Sequence, residues 1–150
     1  MSRSAVSLRP ATASDVDALH RLLTEVHLTT AGIAEWWPRF TVAETDQGMI
    51  GAAGVETYPD GALLRSVAVH PSMQGTGTGR TLVDRALVTA REAGAQDIYL
   101  LTITAENYFP RFGFARIARE MVPDTVQASV EFRGACPESA IVMHRSLRGA

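Results

Sequence analysis

Three glycines alternate with other residues in the segment Gln74-Gly75-Thr76-Gly77-Thr78-Gly79-Arg80. Without side chains at those positions, the backbone can curl and present several N–H groups in one direction. A helix is predicted to begin directly afterwards, and the first N–H groups of a helix lack intrahelical partners and carry a partial positive charge. This combination is typical of a phosphate site, although the glycine spacing alone fits a flexible strand–helix connection equally well.

Two common nucleotide-binding motifs fail on the spacing of this segment. The dinucleotide fingerprint requires Gly-x-Gly-x-x-Gly, whereas the glycines here read Gly-x-Gly-x-Gly. The Walker A loop ends in Gly-Lys-Ser/Thr, whereas Gly79 is followed by Arg80 and Thr81. The spacing therefore excludes both motifs and leaves two alternatives, a phosphate site of another kind and a flexible strand–helix connection.

One charged residue, Arg65, interrupts the apolar strand predicted over residues 63–69. A buried guanidinium must find an anion. That anion can be a substrate carboxylate held by two parallel hydrogen bonds, or a protein acid such as Glu56. The first alternative, which we favour, predicts that the substrate is an amino acid or a close mimic of one.

Each candidate for moving a proton has a structural alternative. Glu56 lies on a predicted strand whose alternation can turn it to a central cleft. His70 is of the residue type that titrates near neutral pH, but its position before Pro71 also suits a cap at a strand end. A water-relayed base is a further alternative. Cys136 has no histidine placed to activate it, so a buried structural role is favoured over a nucleophile.

The elements that must position these residues follow a mixed order. Thr12 and Asp15 match a capping box at a helix start, and Gly94 matches the position after a helix end. An edge strand is predicted at residues 6–9 because Pro10 ends it. Further strands are predicted at residues 40–45, 49–58, 63–69, 97–102 and 140–147, and helices at 13–27, 82–93, 105–112 and 122–132. This order predicts an α+β fold with a mostly antiparallel sheet.

The composition is that of one soluble globular domain over residues 1–150, with 46% hydrophobic residues and a net charge of -2. Lysine and arginine are spread along the chain, so no basic patch for nucleic acid is predicted. No apolar run is long enough to span a membrane, and the N-terminus lacks the apolar core of a signal peptide. With one cysteine, no internal disulfide can form. We expect a cytoplasmic protein without nucleic-acid, membrane or metal partners.

Three motifs in order resemble the GCN5-related N-acetyltransferase (GNAT) superfamily. The run Gln74-x-x-Gly77-x-Gly79 is similar to the family signature Arg/Gln-x-x-Gly-x-Gly/Ala. The start Leu8-Arg9-Pro10-Ala11-Thr12 resembles the usual first strand and turn, and Phe109-Pro110-Arg111-Phe112-Gly113-Phe114 resembles the late helix that ends in Gly-Phe. The resemblance covers nearly the whole chain and implies the GNAT fold, a mixed and mostly antiparallel sheet flanked by helices.

Within the superfamily, the chain is most similar to the arsenic-resistance N-acetyltransferases, which are related to amino-acid N-acetyltransferases. The likeness is carried by Leu64-Arg65-Ser66-Val67-Ala68-Val69, Tyr99-Leu100-Leu101-Thr102 and Cys136-Pro137-x-Ser139-Ala140. The resemblance implies acetyl-CoA as co-substrate and no metal. The pyrophosphate would lie on the N–H groups of Gly75 to Arg80, and the pantetheine arm would pair with Val67, Ala68 and Val69. Asn107 would contact the cofactor arm.

The resemblance leaves the catalytic acid and the acceptor pocket open. Many family members carry a tyrosine where this chain has Phe109, which has no hydroxyl. The adjacent Tyr108 can replace it only if the helix is irregular, as Pro110 allows. Ser66 and Trp36 join Arg65 as candidates for binding the acceptor; Trp36 can equally cover the core or a dimer contact.

Two functions from different classes follow from these features. The first is an N-acetyltransferase that acts on a small amino-acid-like amine, including a toxic glutamate analogue such as an organoarsenical or a phosphinothricin-like compound. The second is a CoA-binding sensor or partner module with reduced catalysis, which the missing tyrosine at Phe109 favours. Acetylation of an unrelated amine or of a protein amine is a further variant. By family analogy, a homodimer is possible.

Overall fold

The computed structural model describes residues 5–148 of the chain. The strands in this range are β1 (Ser7–Pro10), β2 (Phe40–Thr45), β3 (Gly48–Tyr58), β4 (Gly61–Val69), β5 (Asp97–Thr102), β6 (Ala115–Arg116) and β7 (Ile141–Ser146). The α-helices are α1 (Val16–Glu25), α2 (Ile33–Trp36), α3 (Thr78–Glu92) and α4 (Asp124–Gln127). No helix in the described range is both long and apolar enough to cross a membrane.

The strands form one mixed sheet in the order β1-β2-β3-β4-β5-β7-β6. Strands β1–β2, β2–β3, β5–β7 and β6–β7 pair antiparallel, and β4–β5 pair in parallel through Ala62↔Ile98 and Leu63↔Tyr99. Strand β1 lies at one edge of the sheet, as its final proline predicts. The α+β architecture expected from the sequence is confirmed.

The described residues divide into two compact units, of which the first comprises residues 5–54 and 66–86 and the second residues 55–65 and 87–148. In the first unit, the apolar face of α1 packs with residues of β2 and β3 into a core that includes Leu19, Leu23, Ile33, Phe40 and Val42. In the second unit, β4, β5 and β7 pack with α4 around Leu63, Tyr99, Val122, Val126 and Val142. A single domain over the whole chain stays a prediction.

The start of the first helical segment is fixed by charged side chains of the first unit. Asp15 Oδ2 accepts the Thr12 backbone N–H at 2.7 Å, within the capping box that the sequence predicts. Arg9 donates Nη1 to Asp15 at 2.8 Å and Nε to Glu44 at 2.9 Å, which ties β1 to β2 and to the helix start. The Arg9 hydrogen bond holds the pKa of Asp15 well below its ordinary value of 3.8.

Replacing Asp15 with asparagine should lower the free energy of unfolding at neutral pH by about 2 kcal/mol, because a charged hydrogen-bond acceptor and cap are lost. Since folding lowers the pKa of Asp15, its carboxylate stabilises the fold above the unfolded pKa near 3.8, and this contribution is lost as the pH falls below that value. Denaturant titrations from neutral to strongly acidic pH measure both effects. The exposed Asp84→Asn variant is the control, and equal stabilities for the two variants would contradict the assignment.

Two predicted helices of the second unit are shorter than the sequence indicates. Of the helix predicted at 105–112, only the 3₁₀ turn Phe109–Phe112 forms, because Pro110 lacks a backbone N–H and Gly113 ends the turn at φ 86°. The helix predicted at 122–132 is divided into α4 and the π-helical segment Glu131–Ala135. Strand β6 has only two residues, too few for an alternating pattern to reveal it.

Candidate functional site

The glycine segment forms an exposed loop that leads directly into α3 in the first unit. Gly75 and Gly77 have φ values of 81° and 86°, a backbone region that favours glycine. A Cβ atom at either position would meet no other atom within 4 Å, so the space above the loop is open. The N–H groups of residues 78–80 precede the backbone bond from Thr81 N–H to the Gly77 carbonyl, at 3.2 Å. They therefore lie at the positive end of a 15-residue helix.

The shape of this loop is held by side chains of the loop itself. Thr76 Oγ1 donates to the Met73 carbonyl at 2.6 Å and lies 2.9 Å from Thr78 Oγ1. Gln74 Nε2 donates to the Val69 carbonyl at 3.2 Å, which ties the loop to the end of β4. Backbone donors, glycines with positive φ and a braced shape together fit a diphosphate group. The exposed Arg80 adds a cation at the same helix start.

Strand β4 is irregular at Ser66. The alternation of side chains along a strand does not predict this irregularity. Ser66 is buried and has φ 59°, a left-handed backbone conformation that is uncommon for a residue other than glycine. Such conformations cost on the order of 1–3 kcal/mol and are concentrated at functional sites. Of the residues that follow, Ala68 is buried in the core of the first unit, while Val67 and Val69 are half-buried.

A buried ionic cluster, defined by Glu56, Tyr58, Arg65, Glu131 and Cys136, lies in the second unit. Arg65 Nη1 donates to Glu56 Oε2 at 2.8 Å, and Arg65 Nε lies 3.7 Å from Glu131 Oε2. The side chains of Arg65 and Glu56 are fully buried. The other oxygen of Glu56 accepts a hydrogen bond from the Tyr58 hydroxyl. The ion pair with Glu56, one of the two alternatives for Arg65, is therefore present, and binding of a substrate carboxylate stays a prediction.

The pKa values of two groups of the cluster, the Glu131 carboxyl and the Cys136 thiol, are strongly raised. Burial raises the pKa of Glu131 to about 7, against the opposing effect of the Arg65 charge. Burial and the neighbouring Glu131 carboxylate raise the pKa of Cys136 to about 12. The thiol is therefore protonated at neutral pH, which agrees with a structural role for Cys136 rather than a nucleophilic one.

Glu131 is the functional candidate that sequence reasoning missed. It lies on the π-helical segment Glu131–Ala135, between the apolar Val130 and Phe132. The sequence pattern that could have indicated a buried acid here is an acidic residue flanked by two apolar residues. Its partner Arg65 is distant in sequence, so no local pattern joins the two residues.

The proposed base His70 has both ring nitrogens near other groups of the first unit. Nδ1 accepts the Ser72 backbone N–H at 3.1 Å, so His70 caps the short turn Pro71–Met73. Nε2 lies 3.4 Å from Glu25 Oε2. The strand-end cap considered from the sequence is therefore present. A neutral ring in this arrangement carries its proton on Nε2, and both nitrogens are engaged, so a role as base stays a prediction that requires rearrangement.

The aromatic candidates lie in packed surroundings. Phe109 is buried, and its ring packs edge-on against those of Tyr108 and Phe114. The half-buried Tyr108 has the Arg111 guanidinium 4.5 Å from its ring centroid. Tyr108 precedes a 3₁₀ turn, so the helix is irregular here, as a role for Tyr108 as acid requires.

The remaining candidates are divided between the two units. Asn107 is exposed in the second unit. Trp36 is half-buried in the first unit and packs against its core, one of the alternatives considered for it. Within residues 5–148, no group of three or more histidine, cysteine or acidic side chains is placed to hold a metal ion.

Comparisons with known proteins identify the family. Residues 36–116, more than half of the chain, match the family model described as an acetyltransferase (GNAT) domain. The "Amino-acid acetyltransferase" of Mycobacterium tuberculosis is 34% identical over 124 residues, which cover 73% of this chain and 68% of that protein. The "Amino-acid acetyltransferase" of Edwardsiella ictaluri is 29% identical over 97 residues, covering 63% of this chain but only 22% of that protein. The chain thus spans about a fifth of the length of this relative.

A solved structure agrees with the family match. The crystal structure of Rv2747 from Mycobacterium tuberculosis, in complex with CoA, has a TM-score of 0.79 and is 26% identical. The likeness covers 94% of this chain and 99% of that one. The loop geometry, the mixed sheet and these matches agree, and the chain belongs to the GNAT acetyltransferase family.

Proposed function

We propose that this protein transfers the acetyl group of acetyl-CoA to the primary amine of a small amino-acid-like acceptor. The observation that carries the proposal is the open, braced glycine loop at the start of α3. Its N–H groups from Gly75 to Arg80 would hold the pyrophosphate of the donor, with Gln74 bracing the loop. The backbone of Val67, Ala68 and Val69 would pair with the pantetheine arm, and the exposed Asn107 would contact it.

The acceptor assignment rests on Arg65 and on the names of the relatives. A guanidinium is the side chain best suited to hold a carboxylate by two parallel hydrogen bonds. The relatives are named amino-acid acetyltransferases, and an amino acid supplies both the amine and the carboxylate that the proposal needs. Ser66 and Trp36 are the further candidates for contact with the acceptor. Within this class we propose glutamate or a glutamate analogue, including an organoarsenical or a phosphinothricin-like compound.

The transfer would proceed by direct attack. The acceptor ammonium must first lose a proton, and its nitrogen then forms a bond to the acetyl carbon while the carbon–sulfur bond breaks and the thiolate takes up a proton. A backbone N–H near Val67 or Val69 is the candidate donor to the developing oxyanion. Glu56, His70 or a water-relayed group would take the proton from the amine, and Tyr108 is the candidate acid for the thiolate. No acyl-enzyme on Cys136 is required, and its raised pKa argues against one.

Release of free CoA thiol from acetyl-CoA in the presence of an amine panel tests the proposal. The panel pairs each amino acid with the matched amine from which every carboxylate has been removed, and includes glutamate, phosphinothricin-like and arsenical analogues, an aminoglycoside and a polyamine. We expect carboxylate-bearing amines to release thiol at a rate on the order of 100-fold above that of the matched amines without a carboxylate. Equal rates for the two members of each pair would contradict the role of a carboxylate.

A second function, a CoA-binding module with little catalysis, is favoured by the buried phenylalanine at position 109. CoA binding in calorimetry without thiol release on any acceptor would select this alternative. We further propose a cytoplasmic protein and, by family analogy, a homodimer, which light scattering measures directly.

A further inference from the structure

The two carboxylates beside Arg65 are bound unequally. Glu56 accepts a hydrogen bond from Arg65 Nη1 at 2.8 Å and has a second partner in the Tyr58 hydroxyl. Glu131 lies 3.7 Å from Arg65 Nε, which is an ion pair but longer than a hydrogen bond. One guanidinium thus faces two acids in the second unit, of which Glu56 is firmly held and Glu131 loosely held.

Glu131 is also slightly more exposed to solvent than the other two charged residues of the cluster. The side chains of Arg65 and Glu56 have no exposed surface, whereas that of Glu131 is 6% exposed. Cys136, whose thiol hydrogen-bonds to Glu131, is half-buried. Of the three charged side chains, that of Glu131 is the one with exposed surface.

The segment that carries Glu131 is short and irregular. Residues Glu131–Ala135 form a single π-helical turn, a rare geometry that is frequent at functional sites. Gly134 within it has φ 130°, outside the helical range. Adjoining it, α4 has only four residues. A turn of this kind can rearrange without unwinding a long helix.

The cost of moving Glu131 away from Arg65 is reduced by its environment. Burial raises the pKa of Glu131 to about 7, so protonated and ionised forms are both populated at neutral pH. A protonated carboxyl is bound less strongly to a guanidinium than a carboxylate is. An incoming carboxylate that takes its position keeps the buried guanidinium paired, which avoids the penalty of an uncompensated buried charge.

We propose that the Glu131 carboxyl occupies the position beside Arg65 that the carboxylate of the acceptor takes, and that the acceptor displaces Glu131 when it binds. This inference rests on the proposed function, which assigns a carboxylate-bearing acceptor to Arg65. Glu131 then determines specificity, because an amine without a carboxylate cannot replace the ion pair that it must break. The inference also explains how a fully buried arginine becomes available to a substrate.

Glu131→Ala should create a binding site for small carboxylates. Acetate and propionate are the probes, and thermal unfolding without acetyl-CoA is the measurement. We expect either probe to raise the Tm of Glu131→Ala by about 2–4 °C, relative to equal ionic strength of chloride, and to leave the wild-type Tm unchanged. The exposed Glu138→Ala is the matched control and should behave as the wild type.

A second variant, Glu131→Gln, keeps the shape of the side chain and removes its charge. We expect its KM for the carboxylate-bearing acceptor to fall by about fivefold to tenfold, with kcat and the KM for acetyl-CoA unchanged. A folded Glu131→Ala that gains no carboxylate binding would overturn the inference. So would a Glu131→Gln with a lower kcat and an unchanged acceptor KM, since that pattern indicates proton transfer. If Glu131→Ala does not fold, the acceptor KM of Glu131→Gln decides, and an unchanged or higher KM overturns the inference.

The two proposals can fail separately. Carboxylate binding by Glu131→Ala together with no acetyl transfer to any amine would support the proposal that the Glu131 carboxyl occupies a carboxylate-binding position. It would contradict the proposed acetyltransferase activity. Acetyl transfer to carboxylate-bearing amines without any gain of carboxylate binding in Glu131→Ala would support the proposed acetyltransferase activity and contradict the displacement of Glu131 by the acceptor.

Discussion

Gly77→Val should weaken CoA binding by about 100-fold or more while the protein stays folded. Gly77 has φ 86°, and a β-branched residue there would push the loop out of its present shape. A Cβ atom at this position points into open space, so the new side chain would stand where the diphosphate is proposed to lie rather than clash with the core. The changed loop shape and the new side chain would both keep the diphosphate away from the N–H donors at the start of α3.

Isothermal calorimetry with CoA and a thermal melt measure this prediction. Gly94→Val is the matched control, because Gly94 has φ 90°, equally open space around its Cβ position and a place at the other end of α3. The two variants should lose similar amounts of stability, about 1–2 kcal/mol, but only the Gly77 variant should lose CoA affinity. Wild-type CoA affinity in folded Gly77→Val would exclude the loop as the diphosphate site.

Arg65→Ala should raise the KM for the acceptor on the order of 100-fold and change the KM for acetyl-CoA little. Because the fully buried carboxylate of Glu56 would lose its positively charged partner, the same variant should also lose about 3–5 kcal/mol of stability. Steady-state kinetics over both substrates, with denaturant titrations of the same preparations, measure these effects.

Arg65→Lys separates binding from stability. A lysine keeps a positive charge beside Glu56 but cannot offer two parallel N–H donors, so most of the stability should return while the acceptor KM stays about tenfold above wild type. If Arg65→Lys shows wild-type KM values, or if both KM values rise together in Arg65→Ala, the role of Arg65 is that of an ion pair within the protein alone.

The features that the sequence could predict depend on residues that are close together in the chain. The capping box of Thr12 and Asp15, and the glycine at position 94 with φ 90°, depend on residues within one or two helical turns. The glycine loop belongs to the same class, because glycines before a helix permit the positive φ values that Gly75 and Gly77 have, and its role as a phosphate site stays a prediction. The mixed sheet follows from the order of such local elements.

Features that depend on distant residues or on short segments could not be read from patterns. The left-handed Ser66 lies in the middle of an apolar strand, where alternation predicts regular geometry. The contact of Glu131 with Arg65 joins two segments far apart in the chain, and the π-helical turn that carries Glu131 leaves no period in the sequence. For the same reason, the sequence does not indicate the contact of the candidate base His70 with Glu25, which is distant in the chain.

One competition experiment tests the central assignment of donor and acceptor together. The wild-type protein is incubated with acetyl-CoA and an equimolar mixture of amino acids and the matched amines from which every carboxylate has been removed, and mass spectrometry records which amines gain an acetyl group. We expect N-acetylated amino acids, with glutamate or its analogues foremost, and unmodified decarboxylated partners. Acetylation of both members of each pair, or of neither, would contradict an acetyltransferase that recognises its acceptor by a carboxylate.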